Sequence, residues 1–203
     1  MAARYKVLGM GAEAVIKLDL TSKTVLKQRI AKNYRHPVLD KVLRFSRTKA
    51  EARILQRARQ AGVPVPNVFE ASQDCIIMEF VDGALLVEVL DEKPGLGFAI
   101  GENVAKLHSK NIIHGDLTTS NMVLRKGQVY FIDFGLAFNS AKIEDMAVDL
   151  HLFKQALNSK HSRVLNNVWN EFVKGYALFQ KHERVLQRLS IVESRGRYKF
   201  KKQ

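Results

Sequence analysis

The chain has 203 residues, of which 46% are hydrophobic and 26% charged, and these proportions exclude a mainly disordered protein. With 33 Lys and Arg against 20 Asp and Glu, its formal net charge is +13, so we expect an acidic partner. Apolar runs fall short of the roughly 18 to 20 residues of a membrane span. The single cysteine, Cys75, predicts a reducing compartment. We expect this compartment to be the cytoplasm, and in a eukaryote also the nucleus.

The first part of the chain predicts strands with one long helix between them. Alternating or continuous apolar residues predict the strands, and apolar residues at helical spacing, ended by Gly62 and Pro64, predict the helix. The predicted strands are 5–8 and 15–20 around a glycine turn, then 24–27, and after the helix over 38–58 the strands 68–70 and 75–80.

The second part of the chain predicts helices around a small hairpin. After a linker at Asp91–Gly95, the pattern predicts a helix over 97–109, short strands at 122–124 and 129–132, and helices from 145 to 189. The sequence therefore predicts an α+β fold with a boundary near Phe80–Gly83, where a cleft between the two parts is a common ligand site. The predicted divisions are 1–80, 81–190 and a flexible basic tail over 191–203.

The positive charge is concentrated in two stretches. Residues 23–59 hold twelve basic and two acidic residues, and residues 181–203 hold eight basic and two acidic ones. The remainder is slightly acidic. Such a pattern is typical of a protein that binds one polyanion through two separate basic segments. A solvent-exposed helix face together with a tail that only aids solubility would produce the same pattern.

A glycine-containing turn and two charged residues begin a series of motifs. Gly9–Ile16 follows one predicted strand and enters another, and its glycines would let backbone N–H groups approach a phosphate, although a tight hairpin also needs them. Lys27 ends a predicted strand, and Glu51 lies on the long helix, where its carboxylate could hold Lys27 by an ion pair.

The segment His114–Asn121, followed by Asp133-Phe134-Gly135, carries the strongest chemical signal. Carboxylate and amide oxygens are the ligands that Mg²⁺ prefers. A carboxylate that does not bind the metal can orient or deprotonate a hydroxyl group or a water. Each motif alone could cap a turn, but the five in series, a glycine turn, a strand lysine, a helix glutamate, a His-Gly-Asp loop and an Asp-Phe-Gly, are not accidental.

This series resembles the protein-kinase fold from about residue 8 to residue 157. The resemblance implies a bilobal fold, with a small antiparallel β-rich N-lobe and a reduced, mainly helical C-lobe, that binds ATP and Mg²⁺. It further implies ATP contacts from the glycine loop, the Lys27–Glu51 pair and the hinge, a catalytic base at Asp116, and metal binding by Asn121 and Asp133. The implied ATP-binding residues are Leu8, Gly9, Gly11, Ile16, Lys27, Glu51, Met78, Glu79 and Val81.

Several residues depart from the pattern of ordinary kinases. Ala14 replaces the last glycine of the loop, and Glu13 is expected to bring an acid near the phosphates. Gly115 stands in place of the arginine that reads activation-loop phosphorylation, and Thr118 in place of a phosphate-contacting lysine. The predicted helix by about Asp145 leaves no room for a long activation loop, which puts an ordinary peptide-docking platform in doubt.

Together with further motifs, these departures closely resemble the small atypical, RIO-like kinase subunits of the KEOPS (EKC) complex, which supports threonylcarbamoyl-adenosine formation in tRNA. The resemblance spans nearly the whole chain. It implies that Asp149 braces the catalytic loop from a helix. The motifs that carry it are Tyr34-Arg35-His36-Pro37, Arg47–Ala52, His114–Asn121, Glu144-Asp145, Val148-Asp149-Leu150 and Arg195-Gly196-Arg197.

That family implies ATP hydrolysis with weak serine autophosphorylation. It also implies three partners, which are a threonylcarbamoyl-transferase subunit, a small accessory subunit on the N-lobe, and tRNA. No association with a membrane is expected. The tail also suits a nucleic acid by its own chemistry, because cations alternate with two aromatic residues that can stack on bases. The basic helix stretch could serve tRNA or the accessory subunit. The tail residues expected to bind tRNA are Arg195, Arg197, Lys199, Lys201 and Lys202.

Two alternatives remain open from the residues. A small-molecule kinase of the aminoglycoside or choline type shares the His-Gly-Asp and the later Asp, but it needs a larger helical part than the roughly 50 residues after Asp149 offer. A pseudokinase that scaffolds tRNA would need no chemistry, and the presence of Lys27, Asp116, Asn121 and Asp133 argues against it.

Overall fold

A computed structural model describes residues 4–199 and the side chains of residues 4–195. Its N-terminal half is a five-stranded antiparallel sheet in the order β1-β2-β3-β5-β4, crossed by one long helix, α1. The elements are β1 Tyr5–Met10, β2 Ala14–Asp19, β3 Thr24–Arg29, α1 Pro37–Gln60, β4 Val68–Ser72 and β5 Cys75–Glu79.

Helix α1 begins where Pro37 occupies its first turn, since the fixed φ of proline suits a helix start, and it ends before Gly62 at φ +79°. Its buried face packs on β4 and β5 through Ile54, Leu55 and Ala58. The same face carries Glu51, which is 2% exposed, so that packing of the helix brings a carboxylate under the sheet.

The C-terminal half consists of helices around two small sheets. One sheet has the order β6-β8-β9, and the other pairs β7 with β10. The elements are β6 Ala84–Leu85, α2 Leu86–Val89, α3 Leu96–Ser109, β7 Ile112–Ile113, a 3₁₀ turn Thr119–Asn121, β8 Met122–Arg125, β9 Gln128–Phe131, β10 Phe138–Asn139, α4 Ile143–Lys160, α5 Leu165–Tyr176 and α6 His182–Lys199.

One hydrophobic core runs through both halves, from Val25 and Ala52 under the sheet to Phe153 and Phe172 among the helices. The chain crosses between the halves at residues 80–83, where Val81 is buried. Within residues 4–199, every helix is too short or too polar to cross a membrane.

The C-terminal helix α6 extends further than the sequence analysis expected. A flexible tail was expected from residue 191, whereas the helix continues to Lys199. The extension follows from contacts with α4, because Lys154 pairs with Glu193 at 2.9 Å and Glu144 with Arg195 at 2.8 Å. Residues 200–203, with Lys201 and Lys202, lie outside the described residues, as do the side chains of Arg197 and Lys199.

Helices α3 and α5 approach so closely that their contact requires glycine. A Cβ atom on Gly101 would lie 2.0 Å from the carbonyl oxygen of Phe172, and one on Gly97 would lie 2.3 Å from that of Val168. On the facing helix, a Cβ atom on Gly175 would lie 2.1 Å from the carbonyl oxygen of Phe98. The three glycines therefore set the spacing of these two helices of the C-terminal half.

We expect Gly101→Ala to lower the free energy of unfolding by about 2 kcal/mol, because the added methyl group must push the two backbones apart. Urea denaturation followed by circular dichroism measures the change. Gly95→Ala is the matched control, since its Cβ atom meets no described atom within 4 Å, and it should stay within about 0.5 kcal/mol of the wild type. Equal stability of Gly101→Ala and the control would show that the helices can separate freely.

Candidate active site

A cavity of about 400 Å³ lies between the two halves and brings together most residues that the sequence assigned to nucleotide binding. Its walls combine apolar side chains of the sheet and the crossover segment with the polar side chains of Lys27, Asn121 and Asp133. The residues of the sequence prediction that line it are Leu8, Gly9, Ile16, Lys27, Met78, Glu79, Val81, Asn121 and Asp133, joined by Val25, Val123 and Ile132.

Three of the residues predicted to bind the nucleotide or to act in catalysis, Gly11, Glu51 and Asp116, lie outside the cavity lining. Gly11 lies in the β1–β2 turn, where its N–H donates to the carbonyl oxygen of Ala14 at 2.9 Å. Glu51 lies behind Lys27, and Asp116 is an exposed residue of the loop before the 3₁₀ turn.

Lys27 is the centre of a buried ion network. Its Nζ lies 2.6 Å from Oε1 of Glu51 and 2.7 Å from Oδ1 of Asp133, so it joins β3, α1 and the C-terminal half. Burial alone would lower the pKa of Lys27, but the two carboxylates outweigh it and raise that pKa above its ordinary value. Partial burial would raise the pKa of Asp133, but the positive charge of Lys27 keeps it below its usual range. Both partners therefore stay charged.

Arg29 completes this network and was missed by the sequence analysis. Its Nη2 donates to Oε2 of Glu51 at 2.6 Å, and its side chain is only 5% exposed. Each oxygen of Glu51 thus has its own cation. Because side chains two residues apart on a strand share a face, the alternation of Val25, Lys27 and Arg29 along β3 was a signal that could have found it.

Asp116 and Asn121 are joined across residues 114–121, the segment that the resemblance to kinases predicts to be the catalytic loop. The amide Nδ2 of Asn121 donates both to Oδ2 of Asp116, at 2.8 Å, and to its carbonyl oxygen, at 3.0 Å. These two bonds use both amide hydrogens and leave Oδ1 of Asn121 as the group that can meet a ligand.

The oxygens of Asn121 and Asp133 suit a magnesium ion. Lys27 and the N–H of Gly135, at 2.8 Å, both bind Oδ1 of Asp133, so Oδ2 of that carboxylate remains available for a ligand, as does Oδ1 of Asn121. Both atoms are hard oxygen donors, and both residues line the cavity. The donor set therefore fits the metal predicted from the sequence.

The start of the catalytic loop is held by Asp149 of α4. Its carboxylate accepts the backbone N–H groups of His114, at 2.8 Å, and Gly115, at 2.9 Å, and the ring Nε2 of His108 lies 3.2 Å away. Burial would raise the pKa of Asp149, but the bond with His108 and the neighbouring groups lower it overall. Asp149 thus has the bracing geometry that the resemblance implied.

Gly115 is required by the backbone. Its φ is +78°, and a Cβ atom there would lie 2.5 Å from the carbonyl oxygen of Leu136. A larger side chain is therefore excluded at this position, which in ordinary kinases holds an arginine. After Gly135 the chain pairs β10 with β7 and enters α4 at Ile143, so residues 136–142 take the place of an activation loop.

Two arginines of α1, Arg47 and Arg57, form hydrogen bonds with other segments of the same chain. Glu13, expected near the phosphates, accepts a hydrogen bond from Arg47 at 2.7 Å and is thereby directed toward α1. Arg57 donates to the carbonyl oxygen of Lys110 at 2.9 Å and also to the side chain of Asn139, so it ties α1 to the segment that follows Asp133-Phe134-Gly135.

Comparison with known proteins agrees with this geometry. The model of the RIO domain matches residues 5–164. The KEOPS complex subunit Bud32 of Pyrococcus abyssi is 42% identical over 96% of this chain and 96% of its own length. The probable serine/threonine-protein kinase BUD32 homolog of Archaeoglobus fulgidus is 39% identical over 93% of this chain and 94% of its own length.

Longer proteins also contain a similar region. A probable bifunctional tRNA threonylcarbamoyladenosine biosynthesis protein of Methanocaldococcus jannaschii is 40% identical over 95% of this chain, which spans 37% of that relative. Among solved structures, the Rio2 kinase–ADP/Mg²⁺–phosphoaspartate complex of Chaetomium thermophilum aligns with a TM-score of 0.63 and 16% identity, over 96% of this chain and 71% of that chain. The predicted α+β, kinase-like fold is thereby confirmed.

The buried His114 generates a pH dependence of stability. Burial lowers its pKa in the folded protein, so below the unfolded value of about 6.5 the unfolded chain binds an extra proton. Stability should therefore fall as the pH drops from 7.5 to 5.5, by at most about 1.4 kcal/mol per pH unit from this group. His114→Phe should flatten that decline in urea denaturation at both pH values. An unchanged pH dependence in the variant would contradict this assignment.

Proposed function

The chain belongs to the RIO domain family, and from that premise we propose that it is a Mg²⁺- and ATP-dependent atypical serine/threonine kinase or ATPase that supports N6-threonylcarbamoyl-adenosine formation in tRNA within a KEOPS-type complex. The observation that carries the proposal is the ion network in which Lys27 binds both Glu51 and Asp133, with Lys27, Asp133 and Asn121 all lining the cavity.

The cavity walls divide the work of holding ATP. Leu8, Ile16 and Val25 offer apolar surface to a flat base, and the crossover segment at Met78–Val81 lies at its edge. Lys27, held in place by Glu51, presents a fixed ammonium group toward the phosphates. Because the protein supplies little covalent chemistry in phosphoryl transfer, this positioning of charge is its main contribution.

Asn121 and Asp133 would hold Mg²⁺ through Oδ1 and Oδ2, respectively. The chemistry supplied by the bound ion is neutralisation of charge on the phosphate oxygens. Asp116 is exposed and keeps Oδ1 of its carboxylate available, while Asn121 holds Oδ2. It can therefore orient a water for hydrolysis, or a serine hydroxyl for weak autophosphorylation, and take up the proton.

The proposed assembly has three partners: a threonylcarbamoyl-transferase subunit, a small accessory subunit on the N-terminal half, and tRNA, in the cytoplasm. Relatives named for the KEOPS complex and for tRNA threonylcarbamoyladenosine biosynthesis support it. The basic C-terminal residues Arg195, Arg197, Lys199, Lys201 and Lys202 are proposed to contact tRNA phosphates.

We expect the wild-type chain to hydrolyse ATP in the presence of Mg²⁺ and Asp133→Ala to lose that turnover by at least about 100-fold, since the variant lacks a metal ligand and a partner of Lys27. Phosphate release measures the rate. The matched control is Glu92→Gln, which also removes one carboxylate charge but at an exposed position, and it should keep the wild-type rate.

Addition of the transferase subunit and tRNA should raise wild-type hydrolysis. Equal rates for Asp133→Ala and the control would exclude the metal role of Asp133. Efficient phosphorylation of an aminoglycoside or choline would favour the small-molecule kinase instead, and binding without any turnover by the wild type would favour the pseudokinase.

For tRNA binding, we expect replacement of Arg197, Lys199, Lys201 and Lys202 by Gln to reduce the slope of log affinity against log salt by about 0.7–0.9 for each phosphate that the tail no longer neutralises. Filter binding over a range of salt concentrations measures the slope. The matched control replaces four cations of the body, Lys93, Lys110, Lys126 and Lys160, and should leave the slope near that of the wild type. An equal change of slope in the tail variant and in the control variant would show that only the net charge matters, and it would contradict a specific contact by the tail.

A further inference from the structure

A second brace of the catalytic loop involves three residues that the proposed mechanism does not use. His161 lies at the end of α4, Thr119 begins the 3₁₀ turn, and Asp91 follows α2. We propose that His161 is a positioning residue: by binding Thr119 and Asp91, it fixes the turn that carries Asn121. The inference rests on the proposed function, because it assigns Asn121 to the metal.

The three side chains form a continuous hydrogen-bonded chain. The ring Nε2 of His161 lies 3.0 Å from Oγ1 of Thr119, and Nδ1 of His161 bonds to Oδ1 of Asp91. His161 and Thr119 are each 1% exposed, whereas the side chain of Asp91 is 50% exposed. The chain therefore runs from the surface to the base of the catalytic loop.

The carboxylate of Asp91 fixes the direction of its bond with His161. A carboxylate can only accept, so Nδ1 of His161 carries a proton, and in the neutral ring Nε2 is then an acceptor. With the ring neutral, the hydroxyl of Thr119 therefore donates to Nε2, and with the ring protonated Nε2 would donate to Oγ1, so the bond joins the two side chains in either state. Because Thr119 and His161 are buried, breaking the bond between them would leave a polar atom of each without a hydrogen-bond partner and would cost free energy. The two side chains therefore stay in one arrangement.

The turn transmits this constraint to both proposed metal ligands. Asn121 follows Thr119 by two residues, and its N–H donates to the carbonyl oxygen of Thr118 at 3.1 Å. The carbonyl oxygen of Asn121 in turn accepts the N–H of Ile132 at 3.0 Å, directly before Asp133. A shift of the turn would therefore move Asn121 relative to Asp133 and change the spacing of the two oxygens.

The brace is separate from the one made by Asp149. Asp149 lies inside α4 and holds the backbone of His114 and Gly115 at the start of the loop, whereas His161 ends the same helix and holds the turn at the end of the loop. Asp149 in helix α4 and His161 at its C-cap thus hold the catalytic loop at both ends. Orientation of metal ligands by such outer partners typically accounts for a factor of about 10 to 100 in metal affinity.

The test uses Thr119→Val, which keeps the shape of the side chain but removes the hydroxyl, and Thr119→Ser, which restores it. Electron paramagnetic resonance measures Mn²⁺ affinity for the full chain loaded with a non-hydrolysable ATP analogue. We expect Thr119→Val to weaken Mn²⁺ binding about 10-fold, with Thr119→Ser near the wild type. Affinity for the analogue in EDTA should be the same for all three.

A thermodynamic cycle with His161→Phe distinguishes the brace from general packing. If the bond carries the effect, Thr119→Val adds no further loss of Mn²⁺ affinity in the His161→Phe background. Should the buried variants fail to fold, Asp91→Ala at the exposed end decides, since it must also weaken Mn²⁺ binding.

Wild-type Mn²⁺ affinity in Thr119→Val, or in Asp91→Ala where that variant decides, overturns the inference while leaving the proposed function intact. An equal loss of analogue affinity in EDTA also overturns it, because the effect would then be structural. Failure of the wild type to bind Mn²⁺ with the analogue would instead contradict the proposed function.

Discussion

The buried ion network around Lys27 is the interaction on which the rest of the structure depends. Placing a lysine and a glutamate out of water is costly unless each charge has close partners. Here Arg29 and Asp133 supply the second partners, so two cations face two carboxylates. Since these four residues come from β3, α1 and the segment after β9, the same contacts that satisfy the charges also join the two halves of the molecule.

This arrangement is assembled without a phosphorylated activation loop. In the region where ordinary kinases read a phosphate, Gly115 has a conformation and a close neighbour that exclude a larger side chain. The short β7–β10 pairing holds the segment that follows Gly135, and Arg57 ties that segment to α1. Glu51 is therefore held by contacts of the fold itself, since Lys27 and Arg29 bind its two oxygens and Arg57 ties the helix that carries it to the segment after Gly135.

The positive charge has two different uses. In the stretch 23–59, Arg29, Arg44 and Arg47 pair with acidic side chains of the same chain, and Arg57 binds a backbone carbonyl, so part of this charge stabilises the N-terminal half. At the other end, Arg195 pairs with Glu144 on the body. The helix stretch and Arg195 are thus less available to a polyanion than their composition suggested, and the proposed contact with tRNA depends mainly on Arg197, Lys199, Lys201 and Lys202.

Residue type, order and spacing were enough to predict the α+β fold and the long helix, and the resemblance to kinases then assigned site roles to Lys27, Glu51, Asp116, Asn121 and Asp133. These signals are local: a glycine turn, a strand lysine and an Asp-Phe-Gly each occupy a few adjacent residues, and apolar periodicity reports which face of an element is buried.

Only the tertiary structure identified Arg29 as the second partner of Glu51, His161 as the partner of Thr119, and Arg57 as the tie to Asn139. It also decided that α6 continues to Lys199, because contacts with α4 stabilise a segment whose own pattern is polar. The strands β6, β7 and β10 have two residues each, too few for a period, and form because a partner strand lies beside them. Such contacts join residues far apart in the chain, and their geometry arises only when the core has packed.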